Sequence, residues 1–112
     1  MIEYVAPRVY IAGQISKPGS YELRSGQSLF EVVALAGGFT KDAHRKLILH
    51  ARPIGNHELK VTEIDFTKLL KAKGGDLQLE DGDYIFIPDS KLATFNRIVE
   101  SFRFAAPGFQ LR

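Results

Sequence analysis

The sequence predicts an α+β domain in which a mixed sheet wraps around one helix, with an amphipathic helix appended at the C-terminus. Three observations carry this expectation. Two stretches alternate apolar and polar residues around turn residues, and between them lies an apolar segment with helix start and stop signals. A shorter capped segment follows, then a tight acidic turn and a strand that ends at Pro88. Past that proline the apolar spacing changes from a period of two to that of a helix.

From Arg8 to Ile15, Val9, Ile11, Gly13 and Ile15 fall on one side of a strand and Tyr10, Ala12 and Gln14 on the other. Lys17-Pro18-Gly19 turns the chain into Tyr21–Arg24, because proline presets φ and glycine accepts the positive φ that can follow. Ser28 stands at an N-cap and Glu31 three residues later completes a capping box, while Gly37-Gly38 stops the helix. Leu29, Phe30, Val32, Val33, Leu35 and Ala36 point nearly all round this helix, so it is expected to be covered on most sides. Lys46–Arg52 and Glu58–Ile64 form a second hairpin through Ile54-Gly55-Asn56-His57. Asp65 caps a short helix through Leu69-Leu70 that Gly74-Gly75 ends. Leu77–Leu79 and Tyr84–Ile87 then flank the turn Glu80-Asp81-Gly82-Asp83 as a closing hairpin.

This order divides the chain into a lead-in at 1–7, a domain at 8–90 and a C-terminal helix and tail at 91–112. In the last part Leu92, Phe95, Ile98, Val99 and Phe102 make one stripe, opposite Asn96, Arg97, Glu100 and Arg103. The stripe is a candidate membrane or assembly surface. Two hairpins around a capped helix, a short helix and a closing hairpin describe a β-grasp.

Composition narrows function chiefly by exclusion. The chain of 112 residues is 45% hydrophobic and 25% charged, the balance of one folded domain. It has no cysteine, which removes disulfides, thiolate metal sites and cysteine nucleophiles. A net charge of +2 is scattered without a basic block, so no nucleic-acid partner is expected. Met1–Pro7 lacks a basic start and an apolar run, so no signal peptide is expected, and an exported protein would be represented by a mature fragment.

The chain resembles the SLBB domain, the soluble-ligand-binding β-grasp, of Wza-type outer-membrane polysaccharide export proteins. The residues that carry the resemblance are Val9–Gly13 with Lys17-Pro18-Gly19-Ser20-Tyr21, Ser28-Leu29 through Ala36-Gly37-Gly38-Phe39-Thr40, Arg52, Ile64-Asp65-Phe66 with Leu69-Leu70, and Leu79–Pro88. The resemblance implies a C-terminal domain of such a protein, located in the periplasm and outer membrane of the full-length protein. It implies a non-catalytic module that meets other copies of itself in a ring around exported polysaccharide. An inner-membrane polysaccharide co-polymerase is a further implied partner, and the C-terminal segment is implied to enter the outer membrane. The alternative is a saccharide- or small-ligand-binding module of another SLBB protein.

The residues offer no enzyme, no metal site and no cofactor. His44, His50 and His57 lack metal-ligand spacing, and His50 and His57 are expected at the surface or at an edge. Asp81 and Asp83 flank Gly82 and are explained by the turn. The serines lie in no nucleophile elbow and Gly37-Gly38 in no phosphate loop. Ferredoxin-type β-grasps need cluster cysteines, and ubiquitin-like ones a C-terminal Gly-Gly that Gln110-Leu111-Arg112 does not supply. Tyr10, Tyr21 and Tyr84 are candidate saccharide or subunit contacts, against the alternative of ordinary strand packing. Arg52 is a candidate for the same contacts, against a solvated surface.

Overall fold

A computed structural model describes residues 6–24, 27–55, 58–72, 77–91 and 110–111. Strands β1 (Arg8–Gly13) and β2 (Gly19–Glu22) precede helix α1 (Leu29–Leu35). Strands β3 (Ile48–Gly55) and β4 (Glu58–Ile64), helix α2 (Phe66–Lys71), β5 (Tyr84–Ile87) and the two-residue β6 (Gln110–Leu111) follow. The strand order is β2-β1-β5-β3-β4-β6. β5 runs parallel to β1 and antiparallel to β3, so it joins the two hairpins into the mixed sheet of a β-grasp.

Helix α1 begins where Ser28 accepts a hydrogen bond from the Glu31 N–H at 3.4 Å. It ends where the Gly37 N–H donates to the Ala34 carbonyl and the Gly38 N–H to that of Val33, a Schellman pattern that both glycines support with positive φ. Leu29, Val32, Val33 and Ala36 are buried against Val9, Ile11, Ile48, Ile64, Ile85 and Ile87 of the sheet. Each fully buried aliphatic side chain contributes roughly 1.5–3 kcal/mol. Glu31, Ala34 and Leu35 stay exposed, Leu35 at 54%. The sheet covers one side and Phe66 of α2 meets the half-buried Phe30 edge-on beside it, so the cover stops at the strip of Glu31, Ala34 and Leu35, where an apolar residue in a short helix need not face the core.

Cross-strand pairing gives the sheet two distinct faces. His50 stands opposite Thr62 and Ile85, and Arg52 opposite Lys60, on the side that packs α1. Ala51 stands opposite Val61 and Tyr84, and Tyr84 opposite Tyr10, on the far side. A second apolar cluster of Leu49, Ala51 and Leu59, with Val61, Tyr84 and Phe86, belongs to that far side.

Several elements depart from the sequence expectation. β1 stops at Gly13 and Ile15 makes an isolated bridge to Phe39. β2 begins at Gly19 and β3 runs on to Gly55, with its register shifting between Pro53 and Gly55. Leu77–Leu79 forms no hairpin with β5. Its backbone bonds instead to the entry of α1, Leu29 N–H to Leu77 carbonyl and Leu79 N–H to Gln27 carbonyl, because β5 already has β1 and β3 on its two sides. Asp65 caps α2 as expected, accepting from the Thr67 and Lys68 N–H groups. Leu92, Phe95, Ile98, Val99 and Phe102, the 1–5 part of the lead-in, His57 and Gly74-Gly75 lie outside the described residues.

Candidate functional site

The polar end of the helix-side face is built around the turn before β5. The Gly82 N–H donates to the Arg8 carbonyl and the Arg8 N–H to Asp81 Oδ1, both at 2.8 Å, tying the turn to the start of β1. Gly82 sits at φ 86°, which a side chain would strain. The next residue, Asp83, is 0% exposed.

A buried carboxylate needs partners, and Asp83 has several. Arg52 donates from Nε to Oδ1 at 2.9 Å and from Nη2 to Oδ2 at 2.8 Å, and the Glu80 N–H donates to Oδ2 at 2.8 Å. His50 Nε2 lies 3.0 Å from the same oxygen, at contact distance. Burial works to raise the Asp83 pKa. The Arg52 hydrogen bonds, followed by His50 and the Glu80 N–H, outweigh it and hold the carboxyl well below the usual range. The Asp83 hydrogen bonds in turn raise Arg52 further above its ordinary value.

Two expectations are corrected here. His50 is neither at the surface nor on an edge strand: it is 5% exposed on β3, which has β5 and β4 on its two sides. Asp83 does shape the turn, as expected of it, but it is also the buried anion of an ion-pair cluster. The alternation of β3 does place His50 and Arg52 on one face; what it could not supply was the pairing with β5 that brings Asp83 beneath them.

Arg52 extends outward from this cluster. Its Nη1 donates to Glu80 Oε2 at 2.7 Å, in a pair whose arginine side chain is 33% exposed and whose glutamate is 66% exposed. Beside it a groove of about 180 Å³ is lined by His50, Arg52, Lys60, Thr62, Ile64 and Leu77. A wider cleft of about 550 Å³ lies at the other end of the domain, between β2 and the exposed side of α1, and Tyr21, Arg24 and Glu31 line it.

The structure brings together only two of the four expected contact residues. Tyr10 and Tyr84 stack on the far side of the sheet, with ring centroids 6.1 Å apart and planes inclined by 23°; Tyr10 is 42% exposed. Tyr21 stands opposite Val9 on the helix side, and its hydroxyl donates to the Lys17 carbonyl. Arg52 lies on that side too, held by Asp83 within its own chain.

Among the described residues no three His, Asp or Glu side chains gather as metal ligands, and no helix is long and apolar enough to cross a membrane. Comparison with known families matches residues 8–60 to the SLBB domain, a stretch that runs from the start of β1 into β4. No curated protein matches the chain.

Proposed function

We propose, for a chain that carries the SLBB domain over residues 8–60, the role of a non-catalytic assembly module in a bacterial outer-membrane exopolysaccharide or capsule export channel. The SLBB domain is a binding domain, and the hydroxyls that meet carboxylates among the described residues, Ser28 with Glu31 and Thr67 with Asp65, belong to the caps of α1 and α2. The observation that carries the assembly reading is the pair of sheet ends. Among the described residues, β2 closes one end with no strand beyond it, and at the other end β6 pairs with Glu58 and Leu59 while β4 has no partner on that side from Lys60 onward. Open strand edges are templates for pairing with another chain. Two different edges at opposite ends of one sheet form a head-to-tail contact, the kind that closes into rings. In this reading successive copies surround the polymer, in the periplasm and at the outer membrane, and a co-polymerase in the inner membrane is the neighbour from which polymer arrives.

A specific observation also favours saccharide contact. The Tyr10–Tyr84 pair presents stacked rings on the far side of the sheet, and such rings pack against the apolar faces of sugars. A concentration series by light scattering, with and without glycans, separates the two readings. Association that rises with concentration and falls in Glu22→Lys, a charge placed on the β2 edge, supports assembly. A chain that stays monomeric throughout and yet binds neutral oligosaccharide through Tyr10 sinks assembly in favour of the binding module.

A further inference from the structure

We propose that Arg52 and Lys60 form a carboxylate-binding site for an acidic sugar residue, with Glu80 as its resident competitor; this rests on reading the chain as a polysaccharide-handling module. Arg52 and Lys60 are direct cross-strand partners on one face of the β3–β4 hairpin. Like charges placed opposite each other destabilise a strand pair, and an anion between them offsets that repulsion. Lys60 is exposed and has no ion-pair partner among the described residues.

The arginine is prepared for such a ligand. Asp83 occupies its Nε and Nη2 and fixes the guanidinium plane, leaving Nη1 as the donor that faces outward. That donor already holds a carboxylate, Glu80, at 2.7 Å, so the site's preference for this group is visible in the chain itself. Glu80 is 66% exposed, and an exposed ion pair contributes little, so an incoming carboxylate can displace it.

The rest of the groove suits a sugar ring better than a bare anion. Leu77 and Ile64 supply an apolar wall, and Thr62 supplies a hydroxyl on the same face as His50. The groove, about 180 Å³ and open to solvent, has room for a sugar ring. The polymer class that fits is therefore one bearing uronic acids.

The test is a titration of the whole chain with glucuronate, glucose and acetate, followed by amide chemical shifts. Glucuronate should bind roughly tenfold more tightly than either glucose or acetate, since it alone combines the charge with the ring. Lys60→Met should weaken glucuronate several-fold, while Glu80→Gln, which removes the competitor, should tighten it. Both positions are exposed, and thermal melts confirm that the variants fold. No shift with glucuronate, or equal affinity for glucose, overturns the carboxylate site. Equal affinity for acetate overturns the sugar, and unchanged or weaker binding in Glu80→Gln overturns the placement at Arg52. Each of these failures leaves the light-scattering test of assembly untouched, so the two readings fail separately.

Discussion

Asp83 concentrates more of the domain's polar energetics than any other described side chain, because its 0% exposure removes water as an alternative partner. Removing its carboxylate leaves the Arg52 guanidinium without its two-pronged partner and the buried His50 Nε2 without the oxygen beside it. Asp83→Ala is therefore expected to cost on the order of 3 kcal/mol, measured by chemical denaturation. Its pH dependence has a definite sign. The folded-state pKa lies below the unfolded value of about 3.9, so the stabilisation is fully present above that value and is lost as the pH falls through and below it toward the folded pKa. Denaturation midpoints of the natural chain should drop between about pH 5 and pH 2, and those of Asp83→Asn should drop much less. Parallel curves for the two proteins would remove Asp83 from the account of acid stability.

At the scale of elements, what the sequence revealed depended on whether the signal was local. Ser28 and Asp65 are caps because a hydroxyl or carboxylate can reach N–H groups two or three residues on, and both were legible. The faces of β1 were legible too, with Val9 and Ile11 buried and Tyr10 exposed. Leu77–Leu79 was misread because Asp-Gly between two apolar runs signals a hairpin, whereas the partner of each run is decided by which strand edges are still free. His50 was misplaced for the same reason: its burial comes from β5, a neighbour distant in sequence. Ser28→Ala should lose about 0.5–2 kcal/mol of stability, and an unchanged denaturation midpoint would show that this cap is idle. Gly13→Ala should cost more. At φ 92° a Cβ would come within 2.1 Å of the Ile87 carbonyl oxygen, so strain and a backbone clash coincide where β1 and β5 meet. A loss on the order of 2 kcal/mol or more is expected, visible as a lower thermal midpoint.

For the whole molecule, the question is how much of the chain the fold needs. The buried members of the helix-side core run from Val9 to Ile87, and β5, the strand that unites the two hairpins, ends at Ile87. Pro88 follows it as a strand terminator, the signal on which the sequence places a boundary near Ser90. Only β6 ties a later part of the described chain to the sheet, and it does so through two residue pairs at one end of β4. A chain cut after Ser90 should therefore still unfold in one cooperative transition, with sheet signal retained in far-ultraviolet circular dichroism. Its midpoint should be lower, because Glu58 and Leu59 lose their parallel partners, and its open β4 edge should be longer by those two residues. Loss of cooperative unfolding in the shortened chain would place part of the core beyond Ser90. The far-side cluster of Leu49, Ala51 and Leu59 would then be the first place to look, since those three side chains are buried on the face that α1 does not cover.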